Sequence, residues 1–292
     1  ISILGGQLMM TGSRLGGPGT GAGNVAGVNG GGLQNAGSAE VLIEDCWVQY
    51  NVAGQEGGGL WNSPQGRLTV RGGAPPAVTG IVQGVALSPF GLLATVDQYR
   101  GLLGIDNGGV PGSQTTGRRE INWDDAPDNV STPNSLPPGF YNQAFDPFAR
   151  GISLSTPGSG FQLSATDAAN VGTLFSNLNP TYAQAFTTFS PERLITPIGS
   201  NVTVIDFRIP GTNTPALVRG FGAVFTDVDV AGATTIEYYD INGELLLRRA
   251  APAADAQKSL SFLGATFSFP VVAQVRITTG TAPLGLKDVS QN

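Results

Sequence analysis

The sequence predicts an all-β protein: a short parallel β-helix (solenoid) segment followed by a jelly-roll-like β-sandwich with one short helix. Three observations predict it. The phrase GGGLQN at Gly30–Asn35 returns 27 positions later as GGGLWN at Gly57–Asn62. From about Gly117 onward the chain is a succession of short alternating runs separated by turn residues, among them NVTVIDFRIP, RGFGAVFTDVDV and VAQVRITTG. Composition agrees: 43 glycines and 20 prolines in 292 residues, with only 12% charged, describe extended chain broken by many turns.

The first element is the repeat. When its two glycine phrases are aligned, Val41 falls on Leu68 and Ile43 on Val70. Between them, EVLIEDCWVQYNVAGQE alternates Val41, Ile43, Asp45 and Trp47 with Leu42, Glu44, Cys46 and Val48. A β-run, a turn, a second β-run and a glycine cluster at a fixed period mark a coil that buries its inner face only by stacking on its neighbours. Glycine triplets suit the corners, where positive φ or close backbone approach is needed. The opening stretch reads as a looser rung, with Gly5–Gly6 and Leu8 placed 25 before Gly30–Gly31 and Leu33. Residues 1–73 are therefore assigned to the end of a longer solenoid. Ile1 follows no charged n-region and apolar stretch, so any leader is already removed or the chain is a piece of something longer. Cys46, the single cysteine, reads as a small buried hydrophobe; one cysteine forms neither an internal disulfide nor a CxxC metal site.

Residues 74–93 read as a linker, on the paired prolines and glycines of RGGAPPAVTG. Residues 94–292 read as the sandwich. Its one short helix is Ala94–Gly104, with Val96, Tyr99, Leu102 and Leu103 on one face and Gly104 as C-cap. A weaker helix candidate is Asp167–Leu174. Asn242-Gly243 between two apolar runs is a hairpin signal. Ile205, Phe207 and Ile209 share one strand face, opposite Asp206 and Arg208.

Two resemblances follow. GGGLQN…VLIEDCWVQYNVAGQEGGGLWN, over residues 28–71, resembles the rungs of right-handed parallel β-helices in autotransporter-type and polymorphic outer-membrane proteins. That resemblance implies a stalk, an adhesin or a polysaccharide lyase. GRREINWDDAPD, FSPERLITPIGSNVTVIDFRIPG, VRGFGAVFTDVDVAG, IEYYDINGEL and SFLGATF…VAQVRITTG, between Val96 and Gly285, resemble a β-sandwich module of large secreted bacterial proteins that has no established activity. That module continues past APLG into one more strand, which this chain does not carry before Asn292. The resemblance then implies either a fragment or a closing strand from elsewhere, including a neighbouring subunit by β-augmentation. An open sandwich edge would be adhesive.

Composition also narrows function. There is no histidine, which removes the commonest general base and the Ser-His-Asp and Cys-His constellations. A net charge of −6 lacks the basic footprint of a nucleic-acid binder. No apolar run approaches the ~18 residues of a membrane helix, so no membrane insertion is expected of this segment. Asp124, Asp125 and Asp128 share one Pro-containing turn with Asn129, and Asp227 and Asp229 lie ~7 Å apart if they share a strand face. Both groups are candidate Ca2+ ligands, with a solvated Asx-turn or an arginine partner as the plainer expectation. Trp123, Tyr141, Tyr238 and Tyr239, with Trp61 and Tyr182, are aromatics that could stack on sugar rings or fill the core. GRRE at Gly117–Glu120 and LRRA at Leu247–Ala250 read as ion-pair partners.

The expectation is a non-enzymatic extracellular or cell-surface protein, structural or adhesive, that self-associates or docks to neighbouring subunits. A carbohydrate-binding module holding a polysaccharide is one alternative. A β-helix polysaccharide lyase or hydrolase working with Asp and Arg is the second.

Overall fold

The computed structural model describes residues 1–17, 23–44, 46–71, 76–169 and 171–285. It is mostly β and divides into two compact units, Ile1–Ala77 and Val78–Asn292.

Among the described residues the first unit holds ten short strands: β1 (Ser2–Ile3), β2 (Gln7–Thr11), β3 (Arg14–Leu15), β4 (Val25–Ala26), β5 (Leu33–Asn35), β6 (Glu40–Glu44), β7 (Trp47–Val48), β8 (Val52–Ala53), β9 (Leu60–Asn62) and β10 (Arg67–Arg71). All their pairings are parallel, in the orders β1-β5-β9, β2-β6-β10, β3-β7 and β4-β8. Leu33 lies opposite Leu60, Val41 opposite Leu68 and Ile43 opposite Val70, so the spacing of the glycine phrases is the register of the sheet. The opening stretch differs from expectation: Leu8 lies opposite Val41, not Leu33. Arg14 faces Trp47, 33 residues on, but Val25 faces Val52, 27 on, so the spacing between partners changes within this round.

Stacking buries Leu15, Leu33, Val41 and Ile43, with Ile3, Leu8, Met10, Cys46, Val48, Leu60 and Leu68 packed against them. Full burial of such a side chain is worth roughly 1.5–3 kcal/mol. The inward phase differs between β6 and β7. Val41 and Ile43 point in, then Cys46 and Val48, and Trp47 lies half-exposed under the Arg14 guanidinium, 5.7 Å from the ring centroid. Strict alternation from Val41 to Trp47 therefore fails, because a one-residue change of phase moves the next side chains to the other face. Asp45 lies outside the described residues. Asparagines join the rounds where side chains cannot be apolar: buried Asn35 donates from Nδ2 to Asn62 Oδ1 at 2.7 Å, and Asn24 Nδ2 to Asn51 Oδ1 at 2.9 Å.

In the second unit, β11 (Val78–Ala86) is followed by α1 (Pro89–Leu103), β12 (Ile152–Ser155), β13 (Gly160–Leu163), α2 (Tyr182–Ala185), β14 (Ile195–Ile198), β15 (Val202–Phe207), β16 (Gly220–Thr226), β17 (Thr235–Tyr239), β18 (Leu245–Ala250), β19 (Leu260–Phe267) and β20 (Gln274–Thr278). One antiparallel sheet has the order β11-β19-β16, a second β12-β15-β20-β17-β18, and β13 pairs with β14. The stretch read as a linker contains β11, a nine-residue strand that pairs with β19 with a register shift between Val78 and Gly80. α1 starts earlier than Ala94, at Pro89, where the Ser88 hydroxyl accepts from Gly91 N and proline occupies the first helical turn. It ends at Gly104, with φ 94°. Asp167–Leu174 forms only a single 3₁₀ turn, Asp167–Ala169.

α1 lies on the three-stranded sheet through Leu92, Val96 and Tyr99, which meet Val82, Leu260 and Phe262. Leu102, expected on this face, is 46% exposed. Gly222 and Gly264 are cross-strand partners, and a Cβ on Gly264 would come within 2.7 Å of the Tyr99 ring. Those glycines are small because the ring occupies the space, and the Tyr99 hydroxyl donates to Ala265 O at 2.9 Å. The opposite face of the sheet meets the five-stranded one: the Phe207 and Phe221 rings are 6.1 Å apart, and the Tyr238 hydroxyl donates to Phe221 O at 3.0 Å. Helix, sheet and sheet make three layers. The hairpin at Asn242-Gly243 is present, tied by Asp240 Oδ1, which accepts from Asn242 N and Glu244 N.

Candidate functional site: a cleft along β16

A cleft of about 1240 Å3 opens in the second unit. Small-molecule sites are typically roughly 300–1,000 Å3, so this space exceeds what one compact ligand needs. Every residue of β16 lines it, together with Tyr99 from α1, Ile205 and Phe207 from β15, and Phe262 from β19. It reaches both the helix side and the inter-sheet side of β16 and runs along that strand's outer edge.

β16 pairs with β19 and, among the described residues, with no strand on its other side. Asp227 N donates to Ser259 O and Phe267 N to Arg219 O, which places the ladder bonds of this pair on the odd-numbered residues. In an antiparallel ladder the alternate residues aim their N–H and C=O the other way. Gly220, Gly222 and Val224 thus present their backbone groups to the cleft. An unpaired row of this kind is a template for another strand.

Arginines form a second part of the cleft's wall: Arg118, Arg119, Arg150 and Arg193, beside Trp123. They are not equivalent. Arg118 Nε donates to Glu120 Oε1 at 2.5 Å, and Arg100 reaches the same carboxylate from Nε and Nη2 at 2.8 and 2.6 Å. Burial pushes the Glu120 carboxyl up, but the hydrogen bonds from Arg100 and Arg118 outweigh it and hold it below its ordinary range. Arg119 meets no carboxylate among the described residues; its Nη2 donates to Val110 O and Gly112 O at 2.8 and 2.7 Å. Burial and the nearby positive charge of Arg150 lower its pKa. Arg150 Nη2 is 3.7 Å from Asp125 Oδ2, while Arg193, with 3% of its side chain exposed, reaches Asp128 Oδ1 at 2.6 Å and Ser164 O at 3.0 Å. The Nε atoms of Arg119, Arg150 and Arg193 are all buried without an acceptor among the described residues.

The acidic turn is built into this wall. Asp124 accepts from the Ser190 hydroxyl and from Glu192 N and Arg193 N, the latter two at 2.6 and 2.9 Å. Trp123 precedes it in the left-handed region, φ 66°, and packs edge-on against Tyr141 with ring centroids 5.4 Å apart. Asp124, Asp125 and Asp128 therefore face backbone amides and arginines, and no group of three or more acidic or cysteine side chains that could hold a metal occurs among the described residues. The spacing argument for Asp227 and Asp229 does not apply. β16 ends at Thr226 and Asp227 turns into the left-handed region at φ 58°. Burial, then the charge of Asp255, raises the Asp229 carboxyl above its ordinary value.

Of the sugar-stacking candidates, Tyr141 and Tyr238 are 2% and 0% exposed and Tyr182 is buried against Phe186, so none presents a face to a glycan. Burial raises the Tyr141 and Tyr238 hydroxyls well above the ordinary phenol value, keeping both neutral. Trp123 and Tyr239 are half-exposed; Tyr239 donates to Glu237 Oε2 at 3.0 Å. Trp61, in the other unit, donates to Glu56 Oε2 at 3.0 Å. The LRRA pair is divided: Arg248 Nε lies 3.4 Å from Glu237. Arg150 and Arg193 carried no local signal in sequence, because their grouping depends on pairings distant along the chain.

No protein-family model matches the chain, and no curated protein matches it. Among solved structures it is similar to the enzymatically active domain of tailspike protein 4 of bacteriophage CBA120, at 12% identity and a TM-score of 0.18. The alignment covers 95% of this chain and 41% of that one, so the chain spans about two fifths of its length. A likeness this distant does not establish a shared fold.

Proposed function

We propose that this chain is a structural or adhesive part of an extracellular protein, and that it assembles by taking an extended strand from a second copy into the cleft beside β16. In this reading the first unit contributes coils of a parallel β-helix, and the second is a jelly-roll-like sandwich that accepts the strand. The observation that carries it is the unpaired edge of β16 along a cleft deep enough to receive the side chains of both faces of an added strand. Main-chain hydrogen bonds would supply affinity, and the apolar wall of Ile205, Phe207, Phe221 and Phe225 would select apolar side chains.

The test is a pair of proline substitutions analysed by sedimentation velocity across a range of concentrations. Val224→Pro removes an N–H aimed at the cleft, and Ala223→Pro removes one bonded to β19. Val224→Pro is expected to abolish concentration-dependent assembly while leaving the melting temperature within a few degrees of wild type. Ala223→Pro is expected to unfold the sheet. Wild-type protein that stays monomeric at all concentrations would refute the proposal.

A further inference from the structure

We infer that the cleft contains a carboxylate-binding site, formed by Arg119, Arg150 and Arg193, and that the strand docked on β16 carries an acidic side chain into it. The inference rests on the strand-docking reading for its ligand, but on separate observations for its chemistry. Three of the arginines that line the cleft each have a buried Nε–H that meets no acceptor among the described residues. A buried donor without a partner costs about 1–3 kcal/mol, so three in one wall are not a neutral arrangement.

The local charges are equal in number but unevenly paired. Asp128 is engaged by Arg193 at 2.6 Å and Asp124 by two backbone amides and the Ser190 hydroxyl, whereas Asp125 stands 3.7 Å from Arg150. Arg119 pairs with backbone carbonyls alone, where its neighbour Arg118 grips Glu120. A group with acceptors only is what such a wall lacks, and a planar carboxylate matches the guanidinium fork. Tyr141 strengthens the assignment. Its hydroxyl is likewise buried without a partner among the described residues, and its carbonyl accepts from Arg150 N at 3.0 Å. Trp123 covers the same ring edge-on. A polypeptide source is favoured over a sugar acid because β16's unpaired backbone shares the cleft, while Tyr141 and Tyr238 turn no face outward. A second copy supplies carboxylates in surplus, 21 acidic residues against 15 basic.

Two capped heptapeptides of alternating valine and threonine test this, one with a central glutamate and one with glutamine, titrated calorimetrically into wild-type protein and the Arg119→Gln and Arg150→Gln variants. The glutamate peptide is expected to bind about tenfold to a hundredfold tighter, the size of a charge-assisted hydrogen bond. Each variant is expected to remove most of that difference while leaving the glutamine peptide unchanged. Arg119 is half-exposed, so Arg119→Gln decides the matter if Arg150→Gln does not fold. Equal binding of the two peptides would overturn the carboxylate site and leave strand docking intact. A difference that survives both substitutions would overturn the residue assignment. Binding of neither peptide would overturn strand docking together with this inference. An oligogalacturonate that binds through Arg119 where neither peptide does would make the ligand a sugar acid and overturn the polypeptide assignment.

Discussion

Single residues set how closely the layers approach. Tyr99 lies flat on the backbone of two strands because Gly222 and Gly264 leave room for its ring. Gly264→Ala is expected to destabilise the protein by roughly 1–3 kcal/mol, the usual cost of overpacking a filled core. The loss should shrink when Tyr99→Ala accompanies it, as a thermal double-mutant cycle would show. Helical spacing alone placed Tyr99 on an inward face. Its glycine partners were not legible, since a glycine in a strand reads as a turn or bulge until the ring above it is known.

Glu120 makes a second residue-scale case. Its pKa in the folded protein lies below the ordinary 4.5, so the stabilisation from Arg100 and Arg118 is complete above that value and is lost as pH falls through the lower folded one. Its side chain is 32% exposed, which limits the effect to about 1 kcal/mol. Denaturation midpoints at pH 6 and pH 3 should converge in Glu120→Gln relative to wild type. An unchanged pH dependence would show that the pair contributes nothing.

At the scale of elements, legibility followed locality. The repeat was readable because Val41 and Leu68 occupy equivalent sites in successive rounds, so register equals sequence spacing. The round before it was misplaced because Leu8 and Arg14 pair 33 residues on, whereas Val25 pairs 27 on, so no single spacing describes it. β11 was hidden beside the paired prolines, in VTGIVQGVA, whose partner β19 lies far along the chain. The stacked rounds depend on a small core, and Leu33→Ala, at a fully buried site shared by β1, β5 and β9, is expected to cost about 2–5 kcal/mol. Asn35→Ala is expected to cost about 1–3 kcal/mol, because it leaves Asn62 Oδ1 without its 2.7 Å donor. Chemical denaturation would measure both.

For the whole molecule, resemblance in the sequence implied an open sandwich edge, and sheet order leaves β16 without a second strand partner among the described residues. Among the described residues β16 ends its sheet, and it lines a cleft whose arginines include Arg119, Arg150 and Arg193, a grouping no local pattern announces. Of the candidate acids, Asp125 and Asp128 lie against Arg150 and Arg193, while Asp124 accepts from backbone amides and the Ser190 hydroxyl. Amide hydrogen exchange along β16, followed residue by residue from dilute to concentrated protein, tests the central claim most directly. Phe221, Ala223 and Phe225 should be protected throughout by β19, while Gly220, Gly222 and Val224 should exchange quickly when dilute and slowly once the protein assembles. Fast exchange at Gly222 and Val224 in the assembled protein would contradict the account.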